Sequence, residues 1–142
     1  MPLEYSTLVV GDLDEVLAFW GGMEGVGLNA SDTPVALAGF IERNPQMSLL
    51  VRSGGGIVGA VLCGHDGRRG YLHHLAVAVS WQKRGIGREL VRRCVARLAA
   101  EGIQKCTVFV YADNADGARF WDVMGFRPRE DLRVLQCLTG AP

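Results

Sequence analysis

The stretch Gln82-Lys83-Arg84-Gly85-Ile86-Gly87-Arg88 sets two glycines and three cations at the head of a long amphipathic pattern. A helix opening at those glycines has first amides without intrahelical acceptors, and its dipole adds partial positive charge there. Gly85 and Gly87 carry no side chain to block approach to those amides, while Lys83, Arg84 and Arg88 add formal charge. The chemistry this permits is the seating of a diphosphate or a similar anion. On a G-x-G alone, a glycine-opened helix with solvated cations is the competing reading. The nucleotide signatures fail. A dinucleotide fingerprint would need glycine where Leu90 stands, and no G-x-x-x-x-G-K-[ST] occurs.

Other chemistries are excluded more quickly. Cys63, Cys94, Cys106 and Cys137 show no C-x-x-C or C-x-x-H spacing, so neither a metal nor a redox centre is indicated. Each stands in an apolar run, where a reduced thiol packs as a small hydrophobe. The 15 basic and 15 acidic side chains cancel, which argues against nucleic acid as a partner. Glu4 interrupts the N-terminus before any signal-like apolar core forms. No run reaches the ~18 apolar residues of a membrane span. A cytoplasmic protein without a membrane partner is expected.

The elements that must hold the cradle follow from periodicity. At 142 residues, 49% of them hydrophobic, the chain has the size of one domain spanning 1–142. Residues 3–10 read as a strand, and 12–20 as a helix on the spacing of Leu13, Val16, Leu17 and Trp20. A glycine-rich loop covers 21–30. Ser31 or Asp32 followed by Pro34 starts a second helix ending near residue 43. Strands at 47–52, 57–64 and 71–79 form a meander joined by glycine-rich turns. Residues 85–101 make the strongest helix, with Ile86, Leu90, Val91, Cys94, Val95, Leu98 and Ala99 on one face. A strand at 105–111, a helix at 115–124 and a last strand at 133–138 complete the order β-α-α-β-β-β-α-β-α-β. The strands flanking the long helix pair in parallel through a right-handed crossover. The result is an α/β fold with a mixed, mostly antiparallel sheet and a central parallel strand pair.

Gln82-Lys83-Arg84-Gly85-Ile86-Gly87 resembles the Q/R-x-x-G-x-G/A signature of the GNAT N-acetyltransferase superfamily, and Leu75-Ala76-Val77 its preceding strand. Asn114-Ala115-Asp116-Gly117-Ala118-Arg119-Phe120-Trp121-Asp122-Val123-Met124-Gly125-Phe126 is similar to the second family motif, N-x-x-A-x-x-[FL]-Y-x-x-x-G-F. The element order agrees from end to end, and the likeness is greatest to small bacterial RimI-like and YpeA-like members. The resemblance implies a single-domain GNAT fold using acetyl-CoA as co-substrate and no metal. It puts the pyrophosphate on the amides of Lys83 to Arg88, with Ile86 among them. It pairs the pantetheine arm with the backbone of Leu75, Ala76 and Val77, lets Asn114 hydrogen-bond it, and lines the cofactor path with Ala118, Phe120 and Trp121. Core packing is the alternative for the two aromatics.

Acetyl transfer to an amine needs a base, because an ordinary amine is protonated at neutral pH, and the departing thiolate can use an acid. Many relatives supply the acid as a tyrosine where this chain has Trp121, and the base as a glutamate where it has Phe109. Neither residue here can titrate usefully. The nearest replacements are His73 and His74 for the base and Tyr111 for the acid, with Glu24 of the glycine-rich loop a weaker candidate. Strict strand alternation sends His73 and His74 to opposite faces, so one at most faces the thioester. The expected activity is acetyl transfer to a primary amine of a small molecule or protein. Glu24, the only charge in the glycine-rich loop, gives no polycation-binding signal. A CoA-binding protein without catalysis is the alternative, and a scaffold that pairs through a sheet edge is a third reading. A homodimer is compatible with each.

Overall fold

A computed structural model describes residues 2–141. The strand β1 (Leu3–Thr7) leads through a 3-10 turn into the helix α1 (Leu13–Gly21), and α2 (Pro34–Arg43) follows the glycine-rich loop. Pro34 takes the first helical position, where its missing N–H is no loss, and Thr33 Oγ1 caps the helix by accepting from Ala36 N at 3.2 Å. Next come β2 (Leu49–Ser53), β3 (Gly56–His65) and β4 (Gly70–Val77), then α3 (Ile86–Ala100), β5 (Cys106–Val108) and α4 (Ala115–Val123). One sheet holds the strands in the order β1-β2-β3-β4-β5. The first four pair antiparallel, and β4 and β5 pair in parallel across the α3 crossover.

Alternation along the strands divides the interior into two layers. Leu49 and Val51 of β2 and Val61 and Cys63 of β3 face α3, which buries Ile86, Leu90, Val91, Cys94 and Leu98 against them. Leu50, Ala60 and Leu62 face the other way, onto Val16 and Trp20 of α1 and Leu37 and Ile41 of α2. At roughly 1.5–3 kcal/mol for each large apolar side chain removed from water, these two layers hold the sheet between its helices. A Cβ on Gly59 of β3 would lie 3.2 Å from Ile86 Cγ2, so the N-terminus of α3 rests close on the sheet. That contact fixes the position of the cradle.

The last strand expected at 133–138 is not formed. Residues 127–141 carry no helix or strand, and Leu135 and Leu138 are 88% and 99% exposed. The reason lies in β5, which ends at Val108 instead of running to residue 111 and offers a ladder of three residues. Strand propensity without an edge to pair with and a face to bury does not make a strand. The parallel pair therefore stands at the sheet edge, not at its centre. Cys137 lies exposed with the tail, whereas Cys63 and Cys94 are buried. Val95 and Ala99 turn outward, so the buried face of α3 is narrower than the sequence pattern suggests.

Candidate active site

Between Val77 and Ile86 the chain makes a 3-10 turn at Val79–Trp81 and then the polar run Gln82 to Gly85. Gln82 Nε2 donates to Val77 O at 3.0 Å and ties this run back to the end of β4. Gly85 is the N-cap of α3 with φ +84°, a left-handed conformation that glycine adopts without a Cβ penalty. No side chain among the described residues caps the helix, and a Cβ at Gly85 would meet nothing within 4 Å. The first amides of α3 are thus open, and Lys83, Arg84 and Arg88 stand exposed around them. Arg84 lies over the Trp81 ring at 4.8 Å. Glu89 is turned to Arg92 and Arg93, whose guanidiniums bond its carboxylate at 2.9 and 2.8 Å and hold its carboxyl down at about 2. This cradle fits a diphosphate in both charge and access.

The edge of β4 supplies the second half of the site. Its ladder with β5 stops at Leu72 and Val108, while its ladder with β3 continues to Val77. From His73 to Val77 the outer edge of β4 has no strand partner among the described residues, and this edge leads directly to the cradle. Leu75 and Val77 pack toward α3, and Ala76 toward α1 and α2. From α4, Phe120 reaches the cradle floor, 3.4 Å from where a Cβ on Gly87 would stand. Trp121 packs edge-on against Phe120 and Phe126, and Ala118 is exposed one turn into α4. Asn114 caps α4, its Oδ1 accepting from Gly117 N at 2.9 Å.

A cleft of about 510 Å³ adjoins the cradle and brings Gln82, Tyr111 and Asn114 together with Glu24, Gly25 and Gly27 of the glycine-rich loop. Asp113 and Asp116 also line it. Glu24 is the only charge of the loop, but the cleft gains two more from outside it. Three carboxylates border it. Asp113 and Asp116 flank Asn114 in sequence, but only the fold sets them opposite the loop.

The two histidines share one face of the sheet, contrary to strict alternation. His74 has φ +56°, and the β3–β4 register shifts between Ala60 and Leu62. That bulge turns both side chains toward α1 and α2. Holding a non-glycine residue there costs on the order of 1–3 kcal/mol and needs firm surroundings. His73 lies nearly parallel to Tyr71 and Phe109, the three ring centroids 6.0–6.2 Å from one another, with Phe40 at its edge. Burial pushes its pKa down, with the neighbouring His74 acting in the same direction. His74 instead meets Asp32, its Nε2 lying 2.8 Å from Oδ1, and packs edge-on against Trp20. In the sequence Asp32 reads only as a helix-start residue. Its spacing of 42 residues from His74 carries no signal that could have paired them.

Comparison with known proteins accords with this geometry. The profile of the acetyltransferase (GNAT) family matches residues 15–126. An acetyltransferase of Yersinia enterocolitica is 28% identical over 132 residues, covering 93% of each chain. Among solved structures, the PaiA N-acetyltransferase of Thermoplasma acidophilum, in complex with coenzyme A, superposes with a TM-score of 0.76 at 17% identity, covering 89% of this chain and 91% of that one. The ribosomal-protein-S18-alanine N-acetyltransferase of Escherichia coli gives a TM-score of 0.72 at 17% identity, covering 89% and 78%. At these identities the two structures speak for the fold alone.

Proposed function

The chain belongs to the acetyltransferase (GNAT) family, and from that premise we propose that it moves acetyl from acetyl-CoA to a cationic primary amine. The observation that carries this reading is the unpaired edge of β4 from His73 to Val77, running into the uncapped amides of α3. Lys83, Arg84, Arg88 and the amides from Lys83 through Gly85, Ile86 and Gly87 would hold the diphosphate, and the backbone of Leu75 to Val77 the amide-bearing arm. Gln82 braces the cradle. Asn114 Nδ2 has no partner among the described residues and could serve the same arm while its Oδ1 caps α4. Phe120 floors the cradle, with Trp121 and Ala118 behind it.

When bound, acetyl-CoA supplies an activated thioester whose carbonyl carbon bonds to the amine nitrogen as the carbon–sulfur bond breaks and the thiol leaves. The residues manage the protons. His74 takes one from the incoming ammonium, freeing the lone pair that attacks, and passes it to solvent. Tyr111 O–H gives one to the departing sulfur and recovers one from the acetylated nitrogen through water. One nitrogen proton remains on the amide, and one proton per turnover is released. His73, stacked among aromatics, packs the sheet in this scheme.

Glu24, Asp113 and Asp116 support a positively charged acceptor, since they border the cleft that adjoins the cradle. The test is thiol release from acetyl-CoA in the presence of an alanine-initiated peptide, a lysine peptide, spermidine and glucosamine. Turnover with at least one amine, lost in His74→Gln, is expected. Binding of acetyl-CoA without turnover on any of the four would favour the non-catalytic CoA-binding alternative, which the absence of the family's usual Tyr and Glu supports.

A further inference from the structure

We infer that Asp32 is a positioning residue for acetyl transfer, holding the His74 imidazole in the one tautomer whose Nδ1 lone pair is free to take a proton. The inference rests on His74 as the base. An ionised carboxylate only accepts hydrogen bonds, so Nε2 at 2.8 Å from Asp32 Oδ1 must carry the hydrogen. Nδ1 has no partner among the described residues, and in the neutral ring it is the remaining acceptor.

The pair is built, not casual. The Asp32 side chain is 8% exposed and that of His74 16%. Asp32 Oδ2 accepts from Asn29 N at 3.0 Å, so both carboxylate oxygens are committed and the group cannot swing. Asn29 Oδ1 in turn accepts from Ser31 N at 2.8 Å and shapes the 3-10 turn Ala30–Asp32 that carries the carboxylate. On the other side His74 is turned toward Asp32 by a left-handed backbone, with the fully buried Trp20 ring 5.3 Å away at its edge. Bulge, indole and carboxylate thus fix the ring from three directions. A strut between the turn and β4 would need only some bond between the two residues. Control of the tautomer needs an acceptor on Asp32, and that difference can be measured.

The experiment uses the whole chain labelled with nitrogen-15. Long-range proton–nitrogen spectra read each imidazole of the three histidines at neutral pH, and His74→Gln assigns the signal by its loss. Wild type is expected to show hydrogen on Nε2 and a bare Nδ1. Asp32→Asn presents an NH2 group to Nε2, and the hydrogen should move to Nδ1. Turnover on the four amines should then fall roughly 10²–10⁴-fold while acetyl-CoA affinity holds, as when an orienting carboxylate is removed from another general-base histidine. Hydrogen on Nδ1 in wild type would overturn the inference. So would unchanged turnover of Asp32→Asn beside an inactive His74→Gln. Full turnover by His74→Gln would instead remove His74 as the base, and with it any such task for Asp32.

Discussion

The hydroxyl of Tyr111 fills the space beside Gly27 that a β-carbon there would need. The contact joins the glycine-rich loop to the chain beyond β5 and sets Tyr111 at the cleft as a residue still 60% exposed. Gly27 is not in the left-handed region, so alanine would fit its backbone but displace the phenol. Gly27→Ala should therefore leave stability within about 0.5 kcal/mol, because an exposed ring can swing aside. Turnover should drop roughly 10²-fold if the phenol is the acid, and Tyr111→Phe should match it. The double variant should be no worse than either single one, since both remove the same group. Additive losses in steady-state kinetics would separate Gly27 from Tyr111.

Gly85 makes a different demand, on backbone rather than space. With φ +84° at the head of α3, its replacement by alanine should destabilise the fold by about 1–2 kcal/mol. The loss should appear as a lower denaturant midpoint at unchanged slope. Gly85→Asn, which tolerates the left-handed region better, should lose less. Equal losses for alanine and asparagine would count against backbone strain as the cause.

Much of this is legible in the amino-acid sequence itself. The cradle from Gln82 to Arg88 announces itself because its glycines, cations and following periodicity are contiguous. So does the α3 face carrying Leu90, Val91, Cys94 and Leu98, whereas the cap that Asn114 makes on α4 emerges only in the fold. What failed depends on partners far apart in sequence. The pattern Val134-Leu135-Gln136-Cys137-Leu138 has strand propensity, but the sheet edge it would need ends at Val108. Alternation separates His73 from His74 only in a regular strand, and the left-handed His74 cancels it. Asp32 reaches His74, and Asp113 and Asp116 reach the side of Glu24, through folding alone.

His73 sets a pH signature of its own. Burial, reinforced by His74, holds its folded pKa below the ordinary 6.5. Between the two values the unfolded chain binds the extra proton, so this contribution is fully present above pH 6.5 and is lost as the pH falls through and below it. His73→Phe keeps the aromatic stack with Tyr71 and Phe109 and should flatten the decline across that window. Unfolding midpoints from pH 7.5 down to 5 would show it. A decline of the same size in the variant would assign it elsewhere. Glu89 contributes in a separate window, because its carboxyl is held at about 2: its share is lost only as the pH falls from about 4.5 toward 2.

The most direct measurement is thermal unfolding with and without acetyl-CoA, for wild type and Gly87→Glu. A Cβ at Gly87 makes only ordinary contact with Phe120, and a carboxylate near a helix N-terminus is favourable, so the variant should fold. Its charge would nevertheless repel a diphosphate from the α3 amides. Acetyl-CoA at ~100 times its dissociation constant adds about 2.7 kcal/mol, a rise of roughly 10 °C for a chain of this size. That rise is expected in wild type and should vanish in Gly87→Glu. No rise in wild type, or the same rise in both, would contradict the seating of acetyl-CoA on the amides of α3.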